Sequence, residues 1–196
     1  MKLIKMILLS TIVTVVIAFI FLMGIRGEFT RYLEEKYSGL SFKIGFVMVD
    51  PLYGKFVANV TCLNDETHFP ISKSFTTKAI YEDYPQSKSQ MQYNSKLKEI
   101  FAGSDIESFI KNMTGGGKTP FENGGVYTQI NISLTDGAEH IPVIKKMLYV
   151  LNQNHISAEK IIFTYDQDQH VFEIHLSSDD HALTEKEIEA KIIKIK

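Results

Sequence analysis

Residues Met6 to Ile25 form one unbroken apolar run, MILLSTIVTVVIAFIFLMGI, with no charge and no proline. At about 1.5 Å per helical residue the run covers roughly 30 Å, the thickness of a bilayer's hydrocarbon core. The periodicity then changes but does not stop. Phe29, Leu33 and Tyr37 follow at spacings of four, with Tyr32 beside them and charges on the opposite side. This pattern predicts a stalk helix that leaves the membrane and lays an apolar stripe on the next element. Gly39 is the expected C-cap.

Strand patterns come next. Phe42 to Val49 (FKIGFVMV) is rich in β-branched and aromatic residues, and Asp50-Pro51-Leu52-Tyr53-Gly54 reads as a turn. In Lys55 to Leu63 (KFVANVTCL), strict alternation puts Phe56, Ala58, Val60 and Cys62 on one face. His68 to Ser72 closes a meander, and Pro70 marks it as an edge strand. Residues 78–101 read mainly helical, and Asp105 caps a short predicted helix, IESFIKNM. Gly115-Gly116-Gly117, Pro120 and Gly124-Gly125 then read as a flexible linker.

The remainder predicts a β-α-β-β-α order. Tyr127 to Leu134 is a strand and Ile141 to Leu151 a helix with Pro142 in its first turn. Lys160 to Tyr165 and Val171 to Leu176 make a hairpin around Asp166-Gln167-Asp168-Gln169. A last helix is capped by Thr184 and Glu187 and carries Ile188, Ile192 and Ile193. The fold class is α+β: a transmembrane helix continuing into a stalk, then two small subdomains of antiparallel sheet plus helix. The expected organisation is a cytoplasmic N-terminus (1–5), a signal anchor (6–25), a first subdomain with the stalk (26–114), a linker (115–125) and a second subdomain (126–196).

The apolar run is longer than the core of a cleavable signal peptide, and Phe21 to Arg26 offers no Ala-x-Ala cleavage pattern. We therefore expect an uncleaved anchor. Lys2 and Lys5 precede it, while Arg26 and Arg31 follow among acidic residues. The bias favours a cytoplasmic N-terminus and an extracellular C-terminal part in a single-pass cell-membrane protein. The chain has a formal net charge of −2 and lacks a basic cluster, which argues against nucleic acid as a partner. Its single cysteine, Cys62, forms no internal disulfide; an exported domain so poor in cysteine fits the outer face of a Gram-positive membrane.

Arg31-Tyr32-Leu33-Glu34-Glu35-Lys36-Tyr37, the strand pair around Asp50-Pro51 and Gly54, Phe69, and Ile80-Tyr81-Glu82-Asp83-Tyr84 together resemble the YfjL-like proteins. These are small single-pass proteins of Gram-positive bacteria without an assigned activity. The resemblance covers roughly residues 1–101. It implies an anchor and an external α+β module, and it carries over no catalytic residue. By shape alone, a helix followed by a meander is similar to PepSY-type modules, which are thought to modulate exported proteases.

Motifs for chemistry are sparse. Gly117-Lys118-Thr119 lacks the earlier glycine of a phosphate loop, since Asn112 stands there, and Pro120 follows at once. No nucleotide or other cofactor is expected. The six histidines are scattered; His170 and His175 point to opposite faces of one strand. Asp166 and Asp168 lack the glycine and terminal glutamate of a calcium loop, so no metal site is expected. Cys62 falls on an inward strand face, where thiols act as small hydrophobes. No Gly-x-Ser-x-Gly elbow is present. Candidate partner-binding residues are His68, Phe69 and Ile71 on the expected edge strand, and Tyr81, Tyr84 and Tyr93 around the first-half helix. The leading expectation is a non-enzymatic anchored module that binds a protein partner at the envelope. A protease modulator of PepSY-like or cystatin-like kind, and an envelope enzyme, are the alternatives.

Overall fold

The computed structural model describes residues 2–123, 125–137 and 139–196. The chain is α+β and divides into two compact units, Met1–Ser87 and Lys88–Lys196.

The first unit opens with α1 (Lys2–Lys36). Among the described residues it is the one helix long and apolar enough to cross a membrane, over Leu9–Lys36. Its side chains are exposed from Leu9 to Phe21. From Leu22 onward a stripe turns inward, and Ile25, Phe29 and Leu33 are buried. Burying each such side chain contributes about 1.5–3 kcal/mol, so the stalk is held by its apolar face rather than by helix propensity. The stripe covers one face of an antiparallel sheet made of β1 (Phe42–Ile44), β2 (Met48–Asp50), β3 (Lys55–Cys62), β4 (His68–Ser74) and β5 (Ile80–Glu82), in the order β1-β3-β4-β5.

The predicted single strand from Phe42 to Val49 is broken. Both β1 and β2 pair with β3, and the three residues 45–47 stand against only Ala58 and Asn59. One extra residue makes a bulge. Gly45 donates to the Asn59 carbonyl at 2.8 Å, an approach that leaves little room for a Cβ. Alternation on β3 is as expected: Ala58, Val60 and Cys62 are buried and Phe56 is half-buried. The edge assignment of His68 to Ser72 needs correction. β5 pairs with Ile71, Ser72 and Lys73, and only His68 to Pro70 lacks a neighbour on that side. Pro70, which has no N–H to offer, falls in the uncovered half. The helix predicted over 78–101 yields to β5 at its start; α2 (Tyr84–Phe101) begins with Pro85 in its first turn.

The second unit holds the rest of α2 and a five-stranded sheet. Its strands are β6 (Ile110–Gly116), β7 (Tyr127–Leu134), β8 (Ala158–Gln167), β9 (His170–Leu176) and β10 (Ile192–Lys194), ordered β10-β9-β8-β7-β6. Between β7 and β8 runs α3 (His140–Gln153), and between β9 and β10 lies α4 (Glu185–Glu189). The sheet is mixed, not purely antiparallel: β7 and β8 are parallel. A helical crossover such as α3 returns the chain to the end where β7 began, so the next strand runs the same way. Tyr93, Leu97 and Phe101 of α2, spaced by four, join Ile144, Met147 and Leu151 of α3 and Ile130 and Phe163 of the sheet in one core.

Three expectations in this half are corrected. The short helix predicted from Asp105 ends at Phe109 as a 3-10 turn, and Ile110 onward is β6. The open edge of β7 offers hydrogen bonds that outweigh a weak local helical preference. Gly115 and Gly116 close β6 and are not a linker. A Cβ at Gly115 would stand 2.6 Å from Leu97 Cδ1 and 2.8 Å from Tyr127 Cε1, so this glycine serves close packing rather than flexibility. The division of the chain accordingly falls between Ser87 and Lys88, inside α2, and not at 115–125. Gly124, part of the linker assignment, lies outside the described residues. At the C-terminus the Thr184–Glu187 capping box forms, but the helix stops at Glu189, and Ile192 and Ile193 add β10 to the edge of β9.

Candidate ligand-binding site

The second unit carries a cleft of about 740 Å³ where β7 and β8 end and α3 begins. The loop after β7 supplies Asp136, and Glu139 and His140 stand at the start of α3. The end of β8 supplies Tyr165 and Asp166, the following turn Asp168, and α4 Glu189. Five carboxylates thus line one concavity, and no lysine or arginine is among its lining residues. Lys111 reaches Asp166 Oδ2 from outside the lining, at 3.8 Å. The turn joining β8 to β9 is tight: Asp168 and Gln169 both have positive φ, 51° and 65°. That is the signature of a two-residue type I′ hairpin, here built without the usual glycine, and it holds the rim under backbone strain.

His140 is the unusual member. It is 8% exposed, its ring centroid lies 4.1 Å from that of Tyr165, and its Nδ1 has no hydrogen-bond partner. Burial holds its imidazole below the ordinary range, and the Asp136 carboxylate pulls the other way without prevailing. A buried ring with an unmet polar atom therefore shares the lining of the cleft with five acids. Among the described residues no three histidine, cysteine or carboxylate side chains converge tightly enough to hold a metal ion. The arrangement suits an extended organic cation, whose ammonium or guanidinium groups meet carboxylates singly or as a fork.

In the first unit the polar groups are knotted into the fold. Glu82 is buried, with a side chain 1% exposed. It accepts hydrogen bonds from Lys36 Nζ, from Tyr37 Oη at 2.7 Å and from the Tyr84 backbone N–H at 2.6 Å. Burial pushes its carboxyl up, but these three donors outweigh burial and hold it below the usual range. Tyr37 is pushed up to about 12 by burial and by Glu82. Nearby, Tyr84 Oη donates to Asp65 Oδ2 at 2.7 Å, and the Thr67 N–H donates to Asp65 Oδ1 at 3.1 Å. Burial and Asp65 both raise the Tyr84 phenol.

The six residues proposed from sequence do not form one surface. Phe69, Ile71 and Tyr84 are buried in the first unit, where Tyr84 packs edge-on to Tyr37 and Phe42. Tyr93 is buried in the second unit and donates to the carbonyls of Thr119 and Val126. Only His68 and Tyr81 are exposed, on the polar outer face of the first sheet. Tyr81 lies opposite Ser72, four residues along β4 from His68, or roughly 13 Å at strand rise. Sequence reasoning missed the cleft because its acids stand at 136, 139, 166, 168 and 189, with no spacing that announces a site. Only the parallel β7–β8 pair and the packing of α4 bring them together.

In comparisons with known proteins, no family model, no curated protein and no solved structure matches this chain.

Proposed function

We propose that this chain is a single-pass, membrane-anchored binding protein of the YfjL-like kind, with its folded units at the extracellular face. In this reading α1 holds it in the bilayer, and the acidic cleft takes a cationic segment of a partner protein. The observation that carries the reading is the cleft itself: five carboxylates without a lining base, over a buried histidine with an unpartnered nitrogen. The strand-addition route to a protease modulator has less support. The open side of β4 extends only from His68 to Pro70 and includes a residue with no N–H.

Titration of the detergent-solubilised full chain with hexalysine and with hexaglutamate tests the cleft. Hexalysine is expected to bind, to weaken as salt is added, and to fail against the Asp136→Asn, Glu139→Gln, Asp166→Asn triple variant. Equal binding of hexaglutamate, or hexalysine binding unchanged in the triple variant, would refute it. Protease shaving of intact cells tests sidedness; full protection of both units would reverse the topology.

A further inference from the structure

The membrane anchor and the first sheet share one level of the molecule. Phe21, inside the apolar run, has its ring centroid 5.5 Å from that of Phe56, and Phe56 meets Phe75 at 4.6 Å. At the other end of the helix Tyr37 packs on Phe42, which pairs with Cys62. Helix α1 and strand β3 therefore run in the same direction, from Phe21 and Phe56 to Tyr37 and Cys62. The turn before β3, Pro51 to Gly54, consequently points toward the N-terminal half of α1.

Depth follows from helix rise. Twenty residues from Met6 to Ile25 span roughly 30 Å, and Phe21 lies four residues, or about 6 Å, inside the outer end of that span. If the run fills the hydrocarbon core, Phe56 and the turn beyond it sit at or below the headgroup–acyl boundary. Apolar side chains are uncovered there, with Leu52 82% exposed, Tyr53 71%, Met48 56% and Val49 52%, while the acid of the turn, Asp50, is half-buried and accepts the Tyr53 N–H at 3.2 Å. Single exposed hydrophobics are ordinary, but four on one hairpin tip beside an anchor are not. Lys55 lies 5.2 Å from the Tyr53 ring, a tyrosine–lysine pairing suited to the interface, where the ring sits among headgroups and the amine reaches water.

We infer that the β2–β3 hairpin is a second membrane-contact element, with Leu52 and Tyr53 entering the headgroup–acyl boundary beside the anchor and Met48 and Val49 following. The occupant of this apolar tip is lipid, and the tip is continuous with the lipid-facing surface of α1. The first unit then lies against the bilayer instead of standing off on a stalk. This inference rests on the anchor reading above, and the test separates the two.

The chain contains no tryptophan, so one introduced indole reports its own surroundings. Three single-tryptophan variants of the full chain, Tyr53→Trp, Phe19→Trp and His68→Trp, are reconstituted in 3:1 phosphatidylcholine–phosphatidylglycerol vesicles. Each is measured with and without phosphatidylcholine brominated high on the acyl chain. Burial of Cys62 against a thiol reagent checks that each variant is folded. Tyr53→Trp and Phe19→Trp are expected to shift to the blue and lose most of their emission to bromine, while His68→Trp keeps its emission. Quenching at position 19 without quenching at 53 overturns the inference and leaves the anchor standing. A blue-shifted but unquenched Tyr53→Trp means that protein covers the tip, and this also overturns it. Loss of quenching at both positions overturns the anchor reading and the inference with it.

Discussion

Glu82→Ala should open the first unit. Its carboxylate ties the last turn of α1 to the first turn of α2 through Lys36, Tyr37 and the Tyr84 N–H. Removal leaves the Tyr37 hydroxyl and the Tyr84 N–H without partners. Each donor stranded in a part-buried setting costs about 1 kcal/mol, at the low end of the range for buried groups. The lost stem packing adds about 1 kcal/mol. Lys36, with a side chain 44% exposed, returns to water and adds little. The sum is about 3 kcal/mol, or roughly 150-fold in the population of the open form at about 1.4 kcal/mol per decade. Cys62 is the readout. It is the only cysteine, it is 0% exposed, and its thiol lies 3.7 Å from Tyr84 Oη. Its labelling by a chromogenic disulfide reagent, on the full chain in detergent, tracks opening of this core when reclosing is fast. Glu82→Gln, which keeps an acceptor but no charge, should accelerate labelling only severalfold. Ile71→Ala, a core truncation worth about 2–5 kcal/mol, serves as the positive control. If Glu82→Ala labels at the wild-type rate while Ile71→Ala labels faster, the knot does not hold the unit and the reasoning is wrong.

Acid should act through the same groups. Glu82 and Asp65 are both held below their ordinary values of 4.5 and 3.8, so their contribution is complete above those values and is lost as pH falls through the lower folded ones. Denaturant midpoints followed by circular dichroism should fall below about pH 4.5, and less steeply in Glu82→Gln. At the alkaline end Tyr37 is raised from 10.0 to about 12, so its contribution should disappear as pH climbs between those values. Gly115→Val should destabilise the second unit by about 1–3 kcal/mol, because any side chain there meets Leu97 and Tyr127; a neutral midpoint would contradict the packing role. Gln169→Gly should raise thermal stability by about 1 kcal/mol by relieving positive φ in the β8–β9 turn, and no gain would mean the turn is unstrained. Hexalysine affinity should decline in acid as His140, which burial holds below the ordinary imidazole range, takes up a proton beside the cation, and His140→Phe should remove that component.

Much of the local structure was legible along the chain. The apolar run, the stripe of Phe29 and Leu33, the alternation of Ala58, Val60 and Cys62, and the Thr184 capping box each encode their element within a few residues. Such patterns depend on near neighbours, and a linear reading captures them. Errors clustered where a distant partner decided. Ile110 to Gly116 became a strand because β7 offered an edge, and Ile192 and Ile193 did so on β9. Glycines 115 and 116, read as flexible, are small because Leu97, Tyr127 and Gln90 crowd them. Phe69, Ile71, Tyr84 and Tyr93 were named as surface candidates and are core.

That a twenty-residue apolar run precedes two α+β units is written in the linear pattern, since length and hydropathy act residue by residue. Where charge collects and where apolar side chains stay uncovered is set by how the folded chain closes on itself. Asp136 and Glu139, Asp166 and Asp168, and Glu189 come from three separate stretches of chain, and Leu52 gains meaning only from standing level with Phe21. Both are facts of three-dimensional closure, set by which strands pair and which way a crossover turns, and no local spacing records them.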